Sequence, residues 1–195
     1  MNEIICRGYL RDIEFSHSVG EIEYEKANLI SPGKNGREDD IISLRYKKFA
    51  NRYKEGDFVE IKGNLRSFSQ RTDKGNSVQI YVFTYFDDVE EFPVYPVQID
   101  GRICVIGEMR ESRSGKKYIH FTLANNIFTS GGKKINNYIP CTAYGDLAEV
   151  LSNKQIGDII NVNGEFHSHS YKKEVNGETE YRVAHEVLVK EITNG

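Results

Sequence analysis

The sequence predicts an all-β chain of two small barrels in tandem, and three observations carry that prediction. The first is an internal repeat. Gly56-Asp57-Phe58-Val59-Glu60-Ile61-Lys62-Gly63-Asn64-Leu65-Arg66-Ser67-Phe68-Ser69 returns as Gly157-Asp158-Ile159-Ile160-Asn161-Val162-Asn163-Gly164-Glu165-Phe166-His167-Ser168-His169-Ser170. Both windows read Gly-Asp, an alternating stretch, Gly, an apolar residue and then Ser-x-Ser. Their spacing of about one hundred residues is too long for a solenoid repeat and right for a duplicated small domain. The second observation is period-two alternation rich in β-branched and aromatic residues, broken by Gly and Asn. The third is composition: 195 residues, 38% hydrophobic, with 12 Tyr, 10 Phe and no Trp, enough for two modest cores.

In the first half, strands are expected near residues 3–12, 21–30, 40–46, 57–69 and 77–87. Phe49 and Tyr53 stand four apart within residues 47–54, which puts them on one face of a short helix between the third and fourth strands. The second half repeats the order, with strands near 97–109, 117–126, 137–144, 158–170 and 180–192 and a helix over 146–153. Five strands with one helix after the third is the layout of an OB-fold, a small Greek-key barrel. The expected domains are therefore residues 1–92 and 97–195. Residues 93–96 form a semi-rigid linker bounded by Pro93 and Pro96. Gly8 and Gly107 are expected to match as breaks in the two first strands, and Gly63 and Gly164 as bends in the two fourth strands. Ser31 to Arg37 and Thr129 to Lys134 are expected as basic loops joining strands two and three. Arg71 to Asn76 and Tyr171 to Gly177 are expected as loops joining strands four and five.

The net charge of −3 does not advertise a nucleic-acid partner, but grooves are built from local patches. The stretch from Arg45 to Lys54 carries Arg45, Lys47, Lys48, Arg52 and Lys54 and no acid. Acids gather at Glu38-Asp39-Asp40 and Asp87-Asp88-Val89-Glu90-Glu91. Cys6, Cys104 and Cys141 are too far apart for a C-x-x-C pair and read as buried, reduced thiols, so neither a disulfide framework nor a zinc site is expected from them. No membrane-length apolar run and no secretory leader is present, so a cytoplasmic protein is expected. There is no nucleophile motif and no phosphate loop, and an enzyme and a cofactor are not expected. His167 and His169 share a strand face that could hold a metal, but with no further ligand nearby in sequence they read as an exposed polar face.

The second half also carries a resemblance. Ile103-Cys104-Val105-Ile106-Gly107, Phe121-Thr122-Leu123-Ala124-Asn125-Asn126, Ile139-Pro140-Cys141-Thr142-Ala143-Tyr144-Gly145-Asp146-Leu147-Ala148-Glu149 and the Gly157-Asp158 block agree in order and spacing. Over residues 101–192 this resembles the bacterial single-stranded DNA-binding protein family in a tandem OB-fold form. In the first half Tyr46-Lys47-Lys48-Phe49-Ala50-Asn51 is expected to answer the Tyr144 block, and Ala27-Asn28 to answer Ala124-Asn125.

The resemblance implies single-stranded DNA as the partner, bound with little sequence preference in replication, recombination or repair. It implies a homodimer of four barrels, located with the nucleoid. It also brings replication or repair proteins into view as partners, although the chain stops after Lys190-Glu191-Ile192-Thr193-Asn194-Gly195 with no acidic tail. Carried over by position, base stacking falls to Tyr138, Tyr144 and Tyr171, with Phe128 nearby. The accompanying cations are Arg110, Arg113, Lys116, Lys117, Lys133, Lys134, Lys172 and Lys173. In the first half Tyr46 and Phe68, with Arg45, Lys47, Lys48 and Arg66, are the corresponding candidates. The expected division of labour puts base stacking in the second barrel and more backbone electrostatics or dimer contact in the first. A second class of function stays open at this point: a primosome-type OB adaptor that binds proteins first and nucleic acid second.

Overall fold

The computed structural model describes residues 1–33, 36–48, 53–72, 75–84, 91–128, 132–175 and 178–195. Strands β1 (Asn2–Val19), β2 (Ile22–Ser31), β3 (Asp40–Lys47), β4 (Phe58–Thr72) and β5 (Gly75–Thr84) build the first half. β6 (Val97–Ile106), β7 (Arg110–Glu111), β8 (Lys117–Phe128), β9 (Lys134–Tyr144), helix α1 (Asp146–Ser152), β10 (Ile159–Val175) and β11 (Glu178–Asn194) build the second. In the first half β1 pairs with both β2 and β4, β2 with β3, β4 with β5, and β3 runs parallel to β5. These pairings close a ring. In the second half β6, β8, β9, β11 and β10 close an equivalent ring with its own parallel rung, β9 on β11. Each ring is the five-stranded Greek-key closure of an OB-fold, so the chain holds two of them.

Alternation makes the strands. Ile4, Cys6, Gly8 and Leu10 point inward from β1 while the intervening residues are more exposed, and each barrel interior fills with Ile, Val and Leu from all five strands. Helix α1 buries Ala148 and Leu151, three apart on one face, against the second barrel. It starts after Gly145, whose φ of 61° suits glycine, and carries Asp146 and Glu149 in its first turn, where the helix dipole favours acids. Burial pushes the thiols of Cys6 and Cys141 well above their usual pKa, as expected for inert core residues.

The repeated motif is explained atom by atom. Gly56 and Gly157 adopt φ of 91° and 107°, and their N–H groups donate to Leu10 O (2.9 Å) and Ile103 O (2.8 Å). Asp57 accepts the Lys54 N–H and Asp158 accepts the Gln155 N–H, each at 2.9 Å. The Gly-Asp pair is thus a stapled turn that feeds the chain into the fourth strand of each barrel. Further along, a Cβ on Gly63 would lie 2.5 Å from Phe83 O, and one on Gly164 would lie 2.4 Å from Leu188 O, so only glycine lets the fifth strand approach.

The first serine of each Ser-x-Ser joins the barrels. Ser67 Oγ accepts the Tyr138 N–H and Ser168 Oγ accepts the Ile41 N–H, both at 2.7 Å. In return the Ser67 N–H donates to Asn137 Oδ1 (3.1 Å) and the Ser168 N–H to Asp40 Oδ1 (2.7 Å). β4 therefore packs on β9 as β10 packs on β3, about a pseudo-twofold axis. At that axis β1 pairs antiparallel with β6, Glu3 opposite Gln98. Asn2 plugs the centre, its amide donating to Leu65 O and Asn125 Oδ1 while its side-chain oxygen accepts the Leu65 N–H. Replacing Ser67 and Ser168 together by alanine leaves two N–H groups without acceptors and is expected to cost about 2 kcal/mol. A denaturation midpoint unchanged from the native chain would contradict this role.

Several expectations need correction. Gly8 lies opposite Val59 on β4, and the residue opposite the equivalent Ile160 on β10 is Gly101, so Gly101 and not Gly107 is the counterpart of Gly8. Gly107 lies beyond β6, its N–H donating to His120 O. Likewise Tyr24 opposite Lys47 matches Tyr118 opposite Tyr144. The counterpart of Tyr144 is therefore Lys47 rather than Tyr46, and Ala27 answers Phe121 rather than Ala124. β1 runs on to Val19 because its ladder with β2 absorbs two register shifts, one beside Asp12 at φ 55°. Tyr171, Lys172 and Lys173 stand on strand β10, which stays paired to Val175. β4 also continues to Thr72. The expected helix of the first half falls largely on residues 49–52, outside the described residues; Lys48 and Tyr53 at its edges are not helical. The expected loop at 129–131 and the acids of 87–90 also lie outside.

Candidate nucleic-acid interface

On β8 the burial of Ile119, Phe121 and Leu123, and on β9 that of Ile139, Cys141 and Ala143, turns the even-numbered residues of both strands to the outer side of the barrel, where Thr142 alone among them is fully covered, bonded to His120 and Glu186. The antiparallel register sets them in rungs: Tyr118 with Tyr144, His120 with Thr142, Thr122 with Pro140, Ala124 with Tyr138, Asn126 with Asn136 and Phe128 with Lys134. Aromatic rings therefore occur at three levels of one outer face. At a rise of about 3.3 Å per residue, Tyr144 and Tyr138 are about 20 Å apart along the strand and the Phe128 rung is about 13 Å further. Phe128, Tyr138 and Tyr144 are 68%, 41% and 37% exposed, so part of each residue is open to solvent.

Local contacts orient these rings. Tyr118 lies 5.7 Å from Tyr144 and 5.1 Å from His120, centroid to centroid, and Lys116 Nζ is 5.4 Å from the Tyr144 ring. Partial burial, then the nearby Glu186 and Tyr118, hold the Tyr144 hydroxyl above its usual pKa, so it stays a neutral donor. On β10 Tyr171 is exposed, with its ring 6.4 Å from that of His169, and Lys172 Nζ sits 5.5 Å from the ring of Tyr181 on β11. A groove of about 390 Å³ runs between the barrels here, lined by Pro140, His169, Tyr171 and Glu186 and, from β5, by Val78 and Gln79.

The expected cations divide into two groups. Arg110, Arg113, Lys116, Lys133, Lys134 and Lys172 are exposed, and Lys173 is half-buried. Lys117 is paired with Glu149 and Lys48 with Glu23, each at 2.8 Å. Those carboxylates raise the pKa of both lysines and already neutralise part of their charge.

The first barrel presents the equivalent face with different chemistry. Tyr24, Lys26 and Asn28 on β2 oppose Lys47, Arg45 and Ser43 on β3. Lys26 and Arg45 thus stand where His120 and Thr142 stand in the second barrel. The Arg45 guanidinium lies 4.5 Å from the Tyr81 ring and 5.0 Å from that of Phe68, in a groove of about 430 Å³ that Asp12 and Glu14 also line. Phe68 and Arg45 are thereby brought together. Tyr46 is not available: at 2% exposure it belongs to the core, and burial, then Glu25, raises its pKa. Arg66 is half-buried, its guanidinium 3.7 Å from the Phe83 ring.

Tyr118, His120, Tyr181 and Tyr81 join the site only in the folded chain. Tyr118 lies two residues before His120 on one strand face, a legible signal in the sequence. Tyr181, 73% exposed, stands between Glu180 and Arg182, and an aromatic with charged neighbours on both sides is a second such signal.

Residues 94–193 match the model of the single-strand binding protein family. Among solved structures, the wild-type single-stranded DNA binding protein from Thermus aquaticus superposes with a TM-score of 0.72 at 16% identity, covering 100% of this chain and 93% of that one. A deletion mutant of the same protein gives a TM-score of 0.72 at 15% identity, covering 100% and 94%. The likeness extends the shared fold across both barrels. No curated protein matches the sequence. Among the described residues no helix is long and apolar enough to cross a membrane.

Proposed function

The chain belongs to the single-strand binding protein family, and from that premise we propose that it coats single-stranded DNA with little sequence preference, without catalysis, during replication, recombination or repair. The observation that carries the reading is the β8–β9 face: aromatic rings at three levels, Lys116 and Lys134 at its two ends, and Tyr171 of β10 in the groove beside Pro140. Every base has a π-face that a tyrosine or phenylalanine can stack on, worth about 1–3 kcal/mol per base and indifferent to sequence. Cations alongside neutralise phosphates and release counterions.

The first barrel contributes chiefly through Arg45 and Lys47, with the guanidinium of Arg45 resting against the adjoining rings of Phe68 and Tyr81. Two chains associate to supply four barrels, and the protein works in the cytoplasm with the nucleoid. Titration of a labelled oligo-dT at low and at moderate salt tests the proposal. Tight binding with tyrosine quenching, weakening steeply as salt rises, is expected. No binding at low salt would overturn it. Light scattering of the free and bound chain reads the dimer directly.

A further inference from the structure

The strand face that the sequence reads as merely polar acquires a third ligand in the fold. His167 and Glu186 stand directly opposite on β10 and β11, and His169 is two residues on along the same face. One ligand atom from each of the three lies within 4.8 Å of the others. We propose that His167, His169 and Glu186 form a binding site for one divalent transition-metal ion, zinc first.

Two further features make this a built site rather than a chance grouping. Asp40 Oδ1 lies 3.0 Å from His167 Nδ1, and both side chains are largely buried. A carboxylate on Nδ1 fixes the ring and tautomer and leaves Nε2 to face a metal, which is how ligating histidines are oriented in zinc proteins. Glu186 is held as well: the Thr142 hydroxyl donates to its Oε2, and its side chain is only 14% exposed. Oε1 remains turned toward His169, whose Nδ1 is 4.0 Å away. Two imidazoles and one carboxylate suit zinc, with a fourth position left for water. Tetrahedral zinc with bonds of about 2.0–2.1 Å brings its ligand atoms to about 3.3 Å apart. His169, half-exposed on its strand, is the least confined of the three side chains and the one with room to adjust toward that distance.

The position gives the ion a consequence. Asp40 belongs to β3 of the first barrel and also accepts the Ser168 N–H across the seam, while His169 and Glu186 line the groove that holds Tyr171. The ion strengthens the joint between the barrels and fixes one wall of that groove.

The test uses the full chain, freed of metal with a chelator and titrated with Zn²⁺ by calorimetry and with Co²⁺ by visible absorption. One ion per chain is expected, with the ligand-field bands of a four-coordinate site and a raised melting temperature. His169→Ala and Glu186→Gln are expected to weaken binding at least a hundredfold. Asp40→Asn, which touches no metal, is expected to weaken it about 10- to 100-fold through loss of orientation. Circular dichroism establishes that each variant is folded, and His169, exposed at the surface, is the least disruptive change. Absence of saturable one-to-one binding, or binding of equal strength in His169→Ala, overturns the site. Unchanged affinity in Asp40→Asn overturns the orienting role of Asp40.

Discussion

Gly8→Ala is expected to destabilise the chain by about 3–5 kcal/mol, read as a drop of roughly 10 °C or more in melting temperature. A Cβ at this position would lie 2.2 Å from the Ile30 carbonyl oxygen, 2.7 Å from its carbon and 3.0 Å from Ser31 Cα. All three contacts are backbone, so no side chain can swing aside. Either β1 separates from β2, losing ladder bonds around Tyr9–Ile30 and Leu10–Leu29, or the strands shift and drag Leu10 and Leu29 out of a core in which both are fully buried. With total stability of the order of 5–15 kcal/mol, such a loss is a large share. Gly107→Ala is the informative control. Its Cβ meets only His120 O, at 3.1 Å, and an effect of about 1 kcal/mol or less is expected. Equal losses at the two positions would restore the sequence-level equivalence of Gly8 and Gly107 that the strand register contradicts.

That contrast marks where the sequence is legible. Period-two alternation, the Gly-Asp turns and the helix of the second half can be read directly, because the alternation, the bonds of Asp57 to Lys54 and of Asp158 to Gln155, and the Ala148–Leu151 face are all local patterns. Gly63 pairs correctly with Gly164 for the same reason: they sit at equal distance from identical turns. Gly8 and Tyr46 align wrongly by sequence because the connections between the turns differ in length in the two halves, and only strand register restores the match. Tyr46 sits one residue from Lys47, and in a strand one residue is the difference between core and surface.

Long-range polar partners lie out of reach of the sequence altogether. Ser67 with Asn137, Ser168 with Asp40, and His167 with Glu186 are joined by strand pairing or barrel packing that no local pattern encodes. The first serines of the repeated Ser-x-Ser are the joint between the barrels. The two histidines, which lack a third ligand within their own segment, find one on the next strand.

Tyr138→Ala combined with Tyr171→Ala is expected to weaken binding of oligo-dT at least tenfold, with the fold intact. Two stacked bases at about 1–3 kcal/mol each set the scale. Both rings are exposed, so their loss opens no cavity. Tyr138 also keeps its backbone bond to Ser67, which depends on its N–H and not on its ring. The salt dependence separates this loss from an electrostatic one. Stacking residues change affinity but leave the slope of log K against log salt alone, whereas Arg45→Ala, on the cationic face of the first barrel, is expected to lower that slope by roughly 0.7 if the arginine neutralises one phosphate. Two parallel lines for the tyrosine variant and a shallower one for Arg45→Ala would assign bases to the second barrel and phosphates to the first. A tyrosine variant that binds as tightly as the native chain would move the strand off the β8–β9 face. Arg45, already resting against the rings of Phe68 and Tyr81, would then become the centre from which the binding path has to be retraced.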